Sequence, residues 1–174
     1  MPTIGVALAI PEPWASELQD YRTSIGDSTA TMIPTHITLV PPTEVAAEDL
    51  TAVEEHLEKV AVGFESFCVH LRGTGTFRPV SPVVFVTLVE GISQSEQLAF
   101  ALRSGPLSGE LSFPYHPHVT IAHHLADDLL DRAFEELAGF ECVFDVEEFH
   151  LYVHDDVVGW QPTRDFPLIP ATAN

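Results

Sequence analysis

Two short segments of the chain place a threonine two residues after a histidine: His36-Ile37-Thr38 and His118-Val119-Thr120. Each lies in a β-rich run, HITLV and HVTIA. In a strand, residues two apart share a face, so each imidazole projects beside its hydroxyl while Ile37 and Leu39, or Val119 and Ile121, project from the other side. The apolar pair packs under a helix and leaves the imidazole and hydroxyl on the open face. Two such strands brought together line a groove with two imidazoles and two hydroxyls. Phosphodiester cleavage needs that set. A neutral imidazole takes a proton from attacking water or a ribose hydroxyl, and an imidazolium returns one to the departing oxygen, each worth roughly a hundredfold to ten-thousandfold in rate. An ordinary histidine pKa of about 6.5 supplies both forms near neutrality. The threonine hydroxyls donate to the non-bridging oxygens, where charge gathers. The reaction calls for no metal and no cofactor.

The surrounding pattern supplies elements to hold these strands. Thr3 to Ile10 reads as a buried strand feeding a helix over Trp14–Ile25, with Pro11 and Pro13 between. HITLV reads as a short strand stopped by Pro41 and Pro42. Leu50, Val53, Leu57 and Val60 form one apolar stripe on a helix over Ala46–Val62, with Gly63 placed to cap it. Phe67–Leu71 and Val83–Val89 read as a hairpin with a long connection through Gly73, Gly75, Pro79 and Pro82. A helix over Ile92–Arg103, an ordered loop over Ser104–Pro117 and the second His-Thr strand follow. A helix from Asp127 to Ala138, closed by Gly139, leads to strands at Cys142–Val146, Phe149–His154 and Trp160–Phe166.

The order His-Thr strand, helix, strand occurs twice. His36 to Cys68 spans 32 positions and His118 to Cys142 spans 24, a difference that a shorter connection accounts for. An internal pseudo-twofold follows, each half offering one strand with a His and a Thr.

A chain of 174 residues with 45% hydrophobic and 19% charged residues reads as one folded domain, 1–174, made of two similar interleaved lobes. The formal charge of −19, with Lys59 the one lysine, excludes a grip on long nucleic acid, which needs a basic stripe to displace counterions. Any nucleic acid bound is short or terminal. Cys68 and Cys142 form no disulfide framework and read as free thiols. Without a basic N-terminal region or a long apolar stretch, the chain reads as cytoplasmic, with no membrane partner, and as a monomer.

Tandem His-x-Thr motifs some eighty residues apart, the proline pair Pro41-Pro42, the lead-in Tyr115-His116-Pro117 and this order of elements resemble the two-histidine (2H) phosphoesterase superfamily. The similar branch is the bacterial 2′-5′ RNA ligase and cyclic phosphodiesterase group. The resemblance covers most of the chain and implies an α+β, bilobal fold in which two antiparallel sheets face a central groove with helices outside. It implies His36 and His118 as the acid/base pair and Thr38 and Thr120 as phosphate holders. The substrates it implies are 2′,3′-cyclic phosphates of nucleotides or RNA ends, or related cyclic phosphates of ADP-ribose. A nucleotide or RNA-end binding module with little turnover is the alternative.

Other residues carry two readings each. Arg78, after TGTF, either reaches phosphate bidentately or pairs with a surface carboxylate. Phe77 and Tyr115 either stack on a base or belong to the core, the commoner place for aromatics near strand ends. His116, His123 and His124 crowd around His118, but no HExxH or CxxC accompanies them, so no metal site is expected. His116 is expected at the rim or bonded to backbone, and His124 shares parity with His118 if the strand runs that far. Gly73-Thr74-Gly75 is not a phosphate loop, because no GKS or GKT follows.

Overall fold

The computed structural model describes residues 1–171 and contains two four-stranded antiparallel sheets. Strand β1 (Thr3–Ala9) leads through Pro13 into helix α1 (Trp14–Ser24), and β2 (His36–Glu44) follows the loop. Helix α2 (Leu50–Ala61), strands β3 (Phe67–Thr76) and β4 (Val83–Glu90), helix α3 (Ile92–Leu102) and strand β5 (His118–His123) come next. Helix α4 (Asp127–Glu136) and strands β6 (Glu141–Val146), β7 (Glu148–Asp155) and β8 (Gly159–Pro167) complete the described chain. The sheets run β2-β1-β7-β8 and β5-β4-β3-β6. No helix among the described residues is long and apolar enough to cross a membrane.

Each His-Thr strand is therefore the edge of its sheet, and β2 and β5 lie in contact with one another. The helices cross over: α1 packs on β5 and α3 on β2. Beneath them Ile37, Leu39, Val119 and Ile121 are fully buried. Each such side chain contributes roughly 1.5–3 kcal/mol, which fixes the register that leaves His36, Thr38, His118 and Thr120 on the other face. One hydrophobic cluster runs beneath both sheets.

Three local expectations need correction. Pro41 and Pro42 do not stop the first His-Thr strand. Val6 pairs with Val40 and Ile4 with Thr43, so both prolines bulge opposite the single residue Gly5 on an edge strand, where a missing N–H breaks no ladder. The β3 strand runs on through Gly73 and Gly75, which the sequence assigns to the connection. A bulge at Gly73, with φ +74°, shifts the register, and Gly75 leaves room for the Phe85 ring. Finally, the strands after α2 and α4 do not occupy matching places in two sheets, because β3 and β6 pair with each other. The repeat holds for β1-α1-β2 and β4-α3-β5.

Candidate active site

The two imidazoles are supported alike. His36 Nδ1 lies 2.6 Å from the Pro34 carbonyl, and His118 Nδ1 lies 2.6 Å from the His116 carbonyl. A carbonyl only accepts, so Nδ1 carries the proton on each ring, and in the neutral form Nε2 holds a lone pair. His36 Nε2 accepts from the Thr38 hydroxyl at 3.1 Å. Burial lowers the pKa of both rings below the usual histidine value. The Arg22 charge lowers His36 further, and the neighbouring His116 and His36 lower His118, while the carbonyl bonds oppose the shift.

The groove has two parts that meet at Thr38, Val40 and Pro42. One is a mainly apolar cleft beside His36, floored by Gly5 and Ala7 with Tyr152 and Trp160 in its lining. A side chain at Gly5 would meet the Trp160 ring at 3.4 Å, so the small residue keeps that floor low. The other, which is larger, is lined by His118, Thr43, Arg103, Tyr115 and the loop after α3. Thr120 is half-buried on β5, on the face of His118, but lines neither cleft.

The remaining sequence candidates take other places. Arg78 gives its guanidinium to Asp131 at 2.8 Å and to Thr76 Oγ1 at 3.1 Å, with Asp127 at 4.0 Å, so it is committed to carboxylates. Phe77 packs at a tilt against Phe85, 4.5 Å between ring centres, and makes an edge contact with His118 at 4.9 Å, backing the imidazole. The Tyr115 hydroxyl donates to the Thr38 carbonyl at 2.7 Å, which ties the loop to β2 behind the groove, and burial raises its pKa. His116 belongs to the same aromatic cluster, 5.3 Å from Phe85 and 5.7 Å from His118. His124 leaves the strand at φ 55° and is exposed, so its parity with His118 does not bring it into the groove. Cys142 is buried, with its thiol pushed up to about 11, which makes it a poor nucleophile.

Gly75 sits under this cluster. A Cβ there would lie 2.7 Å from the Phe85 ring. Gly75→Ala is expected to destabilise the fold by about 1–3 kcal/mol in urea unfolding, as overpacking does, and to shift the His118 ring resonances in NMR spectra. An unchanged midpoint and spectrum would show that Phe85 has room to move.

Sequence reasoning passes over Arg103, Tyr152, Trp160 and the exposed Phe113 on the rim of the larger cleft. It also misses a buried charge cluster behind His36. Arg22 pairs with Asp27 at 3.0 Å and donates to the Ile33 carbonyl at 3.1 Å, and His123 lies 3.4 Å from Asp27. An acidic residue in a turn and an arginine late in a helix give no local sign of that pairing.

This architecture is shared with solved structures of LigT-like proteins. Similarity to E. coli LigT complexed with NADP+ has a TM-score of 0.69 at 23% identity, covering 97% of this chain and 99% of that one. Similarity to TT0787 of Thermus thermophilus has a TM-score of 0.73 at 24% identity, covering 99% and 100%. A model of the 2′-5′ RNA ligase superfamily matches residues 10–157, and the chain belongs to that family. A provisionally named phosphoesterase of Oceanobacillus iheyensis is 31% identical over 82% of this chain and 84% of its own. Another, of Staphylococcus haemolyticus, is 28% identical over 88% and 90%.

Proposed function

We propose that the groove hydrolyses 2′,3′-cyclic phosphates of nucleotides or short RNA ends, with His36 and His118 as the general acid/base pair. The observation that carries this reading is the matched support of the two rings, each held through Nδ1 by the carbonyl two residues earlier, on edge strands in contact. Nε2 of each thereby carries the lone pair, and on His36 substrate takes the place of the Thr38 hydroxyl. Water attacks phosphorus while one Nε2 takes its proton. The bond from phosphorus to one ribose oxygen breaks, and the other ring, as imidazolium, gives that oxygen a proton. Thr38 and Thr120 donate to the non-bridging oxygens. The imidazoles and hydroxyls thus meet the charge from attack to departure without a metal.

Small nucleotides suit a groove in a chain of net charge −19, where long nucleic acid does not. The structural neighbour LigT, solved with 3′-AMP and with ATP, supports a nucleotide ligand here. Arg78, held by Asp131, steadies the end of β3 in this reading. Chain 1–174 acts as one unit, since both lobes supply a histidine.

The experiment is turnover of the four nucleoside 2′,3′-cyclic monophosphates in excess EDTA, with the product phosphate position read by chromatography. Conversion to a nucleoside monophosphate is expected, and Thr38→Val or Thr120→Val should each lower kcat roughly a hundredfold, the usual cost of one donor to a developing oxyanion. Binding of these nucleotides without product would overturn hydrolysis in favour of a nucleotide-binding module.

A further inference from the structure

We infer that Arg103 forms a second phosphate subsite, so that the favoured substrate carries a further phosphate beyond the cyclic one. This rests on the reading that the reacting phosphate sits at His36, His118 and Thr38.

Among the arginines, Arg22, Arg78, Arg132 and Arg164 each hold a carboxylate, the expected fate of a cation in so acidic a chain. Arg72 and Arg103 do not, among the described residues, and of these two Arg72 is exposed on β3 and lines neither cleft. Arg103 lines the larger cleft together with Thr38 and His118, and its buried Nε has no hydrogen-bond partner. Glu110 lines the same cleft without pairing with it. The Tyr115 ring lies 5.8 Å below the guanidinium carbon and holds it in place, while the Tyr115 hydroxyl is bound to the Thr38 carbonyl. Nε itself is closed off from the cleft, so an anion there meets the terminal amino groups of the half-buried guanidinium, which no carboxylate holds among the described residues.

Chemistry selects phosphate. The guanidinium fork matches two phosphate oxygens, and Ser112, whose hydroxyl donates to no group among the described residues, lines the same cleft, whereas the Thr43 and Ser108 hydroxyls are given to the Pro41 and Gly105 carbonyls. One arginine neutralises one phosphate, which agrees with the absence of a basic track for a long strand. The phosphate has two sources. It is either a 5′-phosphate on the nucleoside that bears the ring, or the phosphodiester that links that nucleoside to a preceding one.

The test compares kcat/KM for adenosine 2′,3′-cyclic phosphate, the same compound with a 5′-phosphate, and a dinucleotide ending in a 2′,3′-cyclic phosphate. The wild-type protein is expected to prefer one of the phosphate-bearing substrates by about tenfold or more, and the favoured one identifies the source. In Arg103→Gln the ratio should fall close to one, and Arg103→Lys should keep part of it. Thermal melts establish that both variants are folded. No preference in the wild type, or a preference that survives Arg103→Gln, overturns the subsite. Calorimetric binding of adenosine 3′,5′-bisphosphate against 3′-AMP tests it without turnover. Tighter binding of the bisphosphate, lost in Arg103→Gln, supports the subsite even if no substrate is cleaved, an outcome that would defeat only the hydrolytic reading. Equal binding counts against Arg103 directly.

Discussion

His36→Ala and His118→Ala are each expected to lower kcat/KM for a 2′,3′-cyclic nucleotide by roughly a hundredfold to ten-thousandfold, the range for losing one positioned proton carrier. The two losses should not add. The rings serve one proton-transfer sequence, so the double variant is expected to fall little below the worse single one. Folding should survive either change, because both side chains lie on the groove face while Ile37 and Val119 fill the core beneath. The pH profile carries the same information. Burial depresses both histidine pKa values, so on raising pH the free enzyme loses its imidazolium below the ordinary value of about 6.5. The rate also falls at lower pH, where the base is protonated. The bell in kcat/KM is therefore expected to be centred below that value. A bound phosphate favours the imidazolium, so the profile of kcat should lie at higher pH than that of kcat/KM.

Arg22→Leu is expected to cost about 3–5 kcal/mol in urea unfolding, the range for breaking a buried ion pair from one side. Arg22 and Asp27 are 2% and 6% exposed, so removing the guanidinium leaves a carboxylate with little water to replace it. Thr29 still donates to Asp27 through its backbone N–H and its hydroxyl. Adding Asp27→Asn should recover part of the loss by removing the stranded charge. Burial acts to raise the Asp27 pKa, but the Thr29 hydrogen bonds and Arg22 together hold it below the usual carboxylate value. The stability this group contributes is thus present above the ordinary aspartate pKa and lost as pH falls through the depressed folded one. The gap between wild type and Arg22→Leu should narrow in that acidic window. Activity should suffer as well, since Arg22 holds the Ile33 carbonyl beside Pro34, whose own carbonyl orients His36. Loss of the Arg22 charge should also raise the His36 pKa and move its limb of the pH profile upward. A stable Arg22→Leu protein with an unaltered profile would mean that this cluster neither anchors the loop nor tunes the ring.

Much of this arrangement is legible in the chain. Period-two alternation in HITLV and HVTIA separates the buried Ile37, Leu39, Val119 and Ile121 from the groove residues, and the stripe from Val53 to Leu57 gives α2. The proline pair misleads because a local rule treats proline as a stop, whereas an edge strand with a bulge opposite Gly5 accepts two. Gly73 and Gly75 mislead for a related reason. They serve a bulge and the Phe85 ring, and both demands come from the partner strand. Among cations, the sequence marks Arg78 because it follows a glycine-rich turn, but α4 brings Asp131 across to it. Arg103 sits at the end of an ordinary helix, and only the fold of the following loop sets it in the groove beside Tyr115. The cluster of Arg22, Asp27 and His123 joins a helix, a loop and the opposite sheet, so no window of sequence contains it.

The most direct test of the two-histidine account is the pH dependence of kcat/KM for adenosine 2′,3′-cyclic phosphate in excess EDTA, for wild type, His36→Ala and His118→Ala. The account predicts an EDTA-resistant bell centred on the acid side of the ordinary histidine pKa, with one limb lost from the residual activity of one variant and the other limb from the other. A rate abolished by EDTA, or a full-height bell in either alanine variant, would contradict it.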